Sequence, residues 1–208
     1  NLLSEKLPAI GIEVLDVIKH ANPTRDFTNI ALQIKSKQPD LIVPANYYNE
    51  YVLLARTLQQ QKVEAKGIYS VLGGAASSYQ FVNEYPQAAE QIMDCNHWFD
   101  PKSDVAMERK KAAEAKGVIY TYEVFLAYNA VAFLADAIER AGSTDKDAVI
   151  AALAGSTWDK HGMPYGPTKM ENGQNMGAQP VNTQVQNGAI EVIFPKEFAS
   201  AEAVFPMG

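Results

Sequence analysis

The sequence predicts an α/β fold: a parallel sheet flanked by helices. Two observations carry this. Short apolar runs alternate with amphipathic helical stretches through the first hundred residues, the grammar of βαβ units. Each strand–turn–helix joint also carries turn residues rather than continuing apolar sequence, as in Ile42-Val43-Pro44-Ala45-Asn46-Tyr47-Tyr48-Asn49-Glu50.

The elements follow in order. Ile12 to Val17 alternates like a strand, and Asn22-Pro23 marks the loop after it. Phe27, Ile30, Ala31 and Ile34 fall on one helical face, with Asp26 placed to cap that helix. Leu41 to Ala45 is the next strand, followed by a helix from Asn49 to Gln61. Gly67 to Leu72 is a strand ending at Gly73-Gly74. A helical stretch from Ser78 to Tyr85 stops at Pro86, and Gln91 to Phe99 is a fourth strand. A charged helix from Lys102 to Lys116 then gives way to a long one from Tyr120 to Ala141. The long helix carries an apolar stripe of Val124, Ala127, Tyr128, Val131, Leu134, Ala135 and Ile138, and Gly142 follows its end. Asp145 caps a short helix through Leu153. Beyond Gly155 glycines punctuate short segments, and Asn187-Gly188 sits between two apolar-alternating runs as a hairpin turn.

Composition narrows the function classes. With 208 residues and 47% hydrophobic content, the chain is long and apolar enough to bury a core. A net charge of -6 argues against non-specific binding to nucleic acid. No run of 18 apolar residues spans a membrane. The opening residues, Asn1 to Leu7, read as the later part of an amphipathic helix, so the chain is expected to be a piece of something longer, with any signal segment outside it.

The candidate chemistry is that of binding rather than catalysis. His20, His97 and His161 are too far apart for a local metal motif, and Cys95, the single cysteine, has no partner at ligand spacing. Ser77-Ser78 lacks the frame of a hydrolase elbow, and Gly73-Gly74 lacks both nucleotide-binding glycine patterns. No catalytic residue, metal or cofactor is expected, and the chain is not expected to be an enzyme. Ligands in open α/β sheets bind outside the carboxyl ends of strands. Tyr47 and Tyr48 are placed there with Asn46, and Gly73 and Gly74 allow close backbone approach to a ligand. Trp98 ends the fourth strand and is a further candidate. Asp94, in that strand, would need a partner if buried and could bind a ligand amine.

Five stretches in order resemble the branched-chain amino acid (Leu/Ile/Val) type of periplasmic solute-binding protein that serves ABC importers. They are RDFTNIALQIKSKQPDLIV from Arg25, NYYNEYVLLARTLQQQKV from Asn46, SVLGGAASSYQF from Ser70, TYEVFLAYNAVAFLADAIERAGS from Thr121 and VNTQVQNGAIEVIFP from Val181. The resemblance implies the carboxyl-terminal portion of a type I periplasmic binding fold. Residues 1–101 would form the ligand-binding α/β lobe. Residues 102–154 would be a helical segment of the amino-terminal lobe, and 155–208 a β-rich tail returning to the lobes and hinge. The family's aromatic after the second strand matches Tyr47 within one position. Its acid at the Gly-rich strand end has no counterpart in Ser70-Val71-Leu72-Gly73-Gly74, so amides, keto acids and aromatic acids join amino acids as expected ligands. The implied function is an extracytoplasmic receptor, periplasmic or lipid-anchored, delivering a small organic solute to an ABC permease. A ligand-sensing regulatory or receptor domain of the same fold is the alternative. The apolar stripe of the long helix is expected to be exposed or covered by self-association.

Overall fold

The computed structural model describes residues 2–71 and 74–208. A short helix α1 (Leu2–Lys6) opens the chain, and α2 (Thr28–Lys37), β1 (Leu41–Ile42), α3 (Tyr48–Gln60) and β2 (Gly67–Val71) follow. Next come α4 (Tyr79–Glu84), α5 (Pro86–Ala89), β3 (Met93–Asn96), α6 (Asp104–Glu114), α7 (Tyr122–Ala141) and α8 (Lys146–Ala154). The tail holds β4 (Thr157–Trp158), β5 (Thr168–Glu171), β6 (Gln174–Asn175), β7 (Val181–Gln186) and β8 (Ala189–Phe194).

The main sheet has the order β1-β2-β3-β7-β8. β1, β2 and β3 run parallel, with Leu41 opposite Gly67 and Ser70 opposite Asp94. β7 adds antiparallel to β3, and β8 pairs with β7 through the Asn187-Gly188 turn. Both turn residues have positive φ, 53° and 76°, the twist that matches two hairpin strands. A separate small sheet holds β4, β5 and β6.

Helix ends follow local chemistry. Asp145 accepts hydrogen bonds from the Asp147 and Ala148 amides and starts α8. Thr121 and Ser103 do the same for Val124 and Ala106 at the starts of α7 and α6. Gly142 ends α7 in the left-handed region at φ 60°. The Asp26 carboxylate accepts from the Thr28 amide at 2.8 Å, and those bonds hold its pKa below the ordinary value.

The larger core lies between the sheet and its helices. Tyr51, Phe81, Ile92, Trp98, Phe99, Phe125, Val181, Val185 and Val192 are buried in one cluster. Phe27, Ala31, Ile42, Leu54 and Leu58 form a second cluster under α2 and α3. Arg109 pins the helical segment to the tail: its guanidinium donates to Asn129 Oδ1 (2.7 Å), to the His161 carbonyl (2.9 Å) and to the Lys160 carbonyl (2.6 Å).

Two strand expectations are corrected. Ile12 to Val17 is not a strand: no strand of the described residues lies alongside to accept its backbone bonds, and Ile12, Leu15 and Val17 are exposed. Asp16 instead bonds Gln33 and Lys37 of α2. The strand expected to reach Ala45 stops at Ile42, because Pro44 has no N–H to give the ladder; its carbonyl still accepts from the Val71 amide. On α7, Tyr128, Val131 and Leu134 face outward, while Phe125, Asn129 and Ala137 are buried. Of the expected apolar stripe, Ala127, Tyr128, Val131, Leu134 and Ala135 are exposed, while Ile138 is half-buried and Val124 packs against the main core.

Candidate functional site

An open cleft of about 740 Å³ lies beyond the carboxyl ends of β1 and β2. Four pieces of chain build it. The loop 22–25 supplies Asn22, Pro23, Thr24 and Arg25. The turn into α3 supplies Tyr47, Tyr48, Asn49, Glu50 and Leu53. Gly74 comes from the turn after β2, and Tyr122 and Glu123 from the first turn of α7.

The two tyrosines of the turn differ. Tyr47 precedes α3 in extended backbone and leaves 76% of its surface exposed. Tyr48, one residue on, is half-buried and packs against the main core; burial first, and Glu84 second, push its phenol pKa up. Tyr47 is therefore the free aromatic face of the cleft and Tyr48 its wall.

The 22–25 loop is fastened at two points. His20 Nδ1 lies 2.8 Å from the Ala21 carbonyl, so Nδ1 carries the proton and Nε2 accepts from the Asn46 side-chain amide at 2.8 Å. Glu50, buried on α3, accepts the Thr24 backbone N–H at 3.0 Å. Asn46 thus positions the loop and is not part of the cleft lining.

Opposite, Tyr122 closes over Gly74. That glycine has φ +72°, and the ring of Tyr122 occupies the space a side chain would need. The turn carrying Gly74 runs on through Ala75, Ala76 and Ser77 and is tied to α7: the Tyr79 N–H donates to the Tyr120 carbonyl at 3.3 Å, and Ser78 bridges Thr121.

Tyr47, Tyr48 and Gly74 meet in the cleft, as their strand-end positions imply. Gly73 lies outside the described residues. Trp98 does follow β3, but the structure does not bring it into the cleft: it is 1% exposed, in the core with Tyr79, Phe99 and Tyr120. Its large apolar ring finds more contact under the turn than at the rim. Asp94 is also fully buried, beneath the cleft and not in it.

Sequence reasoning missed Arg25, Glu50, Tyr122 and Glu123. The last two begin 48 residues beyond Gly74 and sit further still from Arg25 and Glu50 along the chain, and only the packing of α7 against the post-β2 turn brings them in. The cleft therefore does hold acids, though from helices and not from the strand end. Arg25 and Glu123 form no ion pair with each other among the described residues, and the described lining carries one cationic side chain, Arg25, with two acids, Glu50 and Glu123. Among the described residues, that lining contains no serine, cysteine, lysine or histidine.

Residues 2–189 match the family model described as periplasmic binding protein. The chain belongs to the periplasmic binding protein family. Solved structures of that fold resemble it over most of its length. A leucine-binding protein from Thermotoga maritima is 24% identical with a TM-score of 0.72, covering 90% of this chain and 53% of that one. An extracellular ligand-binding receptor from Rhodopseudomonas palustris is 17% identical with a TM-score of 0.74, covering 92% and 57%. An ABC transporter substrate-binding protein from Aeropyrum pernix is 16% identical with a TM-score of 0.70, covering 94% and 56%. The chain thus spans little more than half the length of the structures it matches. No curated protein matches it.

Proposed function

We propose that the complete protein is an extracytoplasmic solute-binding receptor, periplasmic or lipid-anchored, that delivers a small organic solute to the permease of an ABC importer. The observation that carries this is the cleft: an aromatic face at Tyr47, a wall of Tyr48 and Tyr122, a glycine floor at Gly74 and charged side chains of both signs, all beyond the carboxyl ends of parallel strands. Membership of a binding-protein family supports it, and so do the roles of the structural relatives, one leucine-binding and one an ABC transporter substrate-binding protein. Hydroxyls, rings and charges converging on an open cleft suit the holding of a polar solute. The ligand class is an amino acid, an amide, or an aromatic or keto acid. In this reading residues 1–101 are the carboxyl-terminal ligand lobe, 102–154 a helical part of the other lobe and 155–208 the returning tail. A thermal-shift panel of those four classes on the complete protein tests it. A true ligand at a hundred times its Kd adds roughly 2.7 kcal/mol of stability and is recovered chemically unchanged. Turnover of the ligand, or no stabilisation by any class, contradicts the reading.

A further inference from the structure

Beneath the cleft runs a row of polar side chains across the sheet. Ser70 on β2, Asp94 on β3 and Thr183 on β7 are register partners, and all three are fully buried. Ser77, from the turn that starts at Gly74, reaches down onto the row. Its hydroxyl donates to Asp94 Oδ2 at 2.8 Å and stands 3.4 Å from Thr183 Oγ1. Among the described residues, Asp94 Oδ1, Ser70 Oγ and the Tyr51 hydroxyl are each buried without a hydrogen-bond partner.

A carboxylate buried this deeply needs a cation or a proton. The titratable groups that face Asp94 are Tyr51 from α3 and Tyr122 from α7, while Tyr69 of β2 and Cys95 of β3 lie close by on the other face of the sheet. None of these is a cation, and among the described residues Asp94 forms no ion pair. A proton on Oδ1 turns that orphaned acceptor into a donor beside orphaned hydroxyls, and leaves Oδ2 to accept from Ser77.

We propose that this row is a proton-binding site that locks the 74–78 turn. With Asp94 protonated, the buried row is neutral and the turn is ordered over it. With Asp94 ionised, the charge draws water in and the turn loosens. Both cleft residues that hang on this turn move with it: Gly74 directly, and Tyr122 through the Ser78–Thr121 bridge and the Tyr79–Tyr120 bond. Ligand affinity is then linked to pH by regulation of the proposed receptor site, and the linkage rests on that reading. The lock itself does not. Burial, opposed mainly by the Ser77 hydrogen bond, pushes the Asp94 carboxyl up to about 6, where such a lock would switch near neutrality.

The test needs no ligand, so its failure is separate from failure of the receptor reading. Carboxyl-carbon NMR of the complete protein should show Asp94 titrating near 6. Amide exchange at Ser77, Ser78 and Tyr79, whose N–H groups bond within the turn and to Tyr120, should lose about ten-fold protection between pH 5 and 7.5 after correction for the intrinsic rate. Asp94→Asn should keep these amides protected at both pH values. Ser77→Ala, which takes the donor away from Asp94 Oδ2, should lower their protection at both and raise the Asp94 midpoint further. An Asp94 midpoint near 4 overturns the proposal, and so does protection that ignores pH in the wild type or survives unchanged in Ser77→Ala.

Discussion

The ring of Tyr122 lies against Gly74 so closely that a Cβ built on the glycine would stand 2.6 Å from Tyr122 Cε1. Residues from two distant parts of the chain thus seal one side of the cleft by the absence of a side chain. Gly74→Ala adds a steric clash to a left-handed φ of +72° and should destabilise the protein by at least about 1 kcal/mol. Gly74→Ala combined with Tyr122→Ala should recover the steric part but not the backbone part. Urea midpoints of Gly74→Ala, Tyr122→Ala and the double variant measure both.

The paired tyrosines separate binding from stability. Tyr47→Ala should leave the urea midpoint within error, because the ring is largely exposed, yet weaken ligand binding by about 1 kcal/mol, roughly five-fold. Tyr48→Ala should cost roughly 2 kcal/mol of stability through its lost core contacts. Calorimetry and denaturation on both variants decide it; a larger binding loss at Tyr48 would exchange the roles assigned here.

Glu50 holds the opposite rim by a charge-assisted bond to the Thr24 backbone. Glu50→Ala should cost roughly 1.5–3 kcal/mol. Glu50→Gln keeps an acceptor oxygen and should lose less. Faster exchange at the Thr24 amide in Glu50→Ala alone would locate the effect in this bond.

For Asp94 the sign runs opposite to most carboxylates. Its folded pKa of about 6 lies above the unfolded value near 4, so its contribution to stability is full below about pH 4. That contribution falls as pH rises and is lost by about pH 6. Asp94→Asn should therefore be the more stable protein at pH 7.5, by up to roughly 2–3 kcal/mol, with the advantage gone at pH 4. Asp16 and Asp26 have pKa values held below the ordinary one and act with the opposite sign, so the difference between wild type and Asp94→Asn isolates the buried group.

The outward face of α7, with Tyr128, Val131 and Leu134 exposed, is an apolar patch of the kind that finds a partner. The 208-residue chain, taken alone, should self-associate through it. Light scattering on the wild type and on Val131→Glu with Leu134→Glu checks this: the pair of substitutions should give a monomer.

Much of the fold was legible because its signals are local. Asp145 and Gly142 bound their helices by chemistry within four residues, and Asn187-Gly188 sets a hairpin by its own φ values. The parallel order of β1 to β3 followed from spacing alone. The failures were those of partnership. Ile12 to Val17 alternates like a strand, but alternation cannot supply a neighbour to pair with. Trp98 sits at a strand end, but position along a strand does not tell which way a ring turns. Tyr122 and Glu123 entered the cleft only through a contact with Gly74 that no local pattern records.

The central claim is that the Tyr47–Gly74–Tyr122 cleft is half of a solute-binding site. Native mass spectrometry of the complete protein purified without added ligand tests it most directly. The account predicts one small organic molecule bound at a single stoichiometry, released intact, depleted in Tyr47→Ala and Gly74→Ala and retained in the α7 surface variant Val131→Glu. A bound molecule equally retained by Tyr47→Ala and Gly74→Ala, or released as a reaction product, would contradict it.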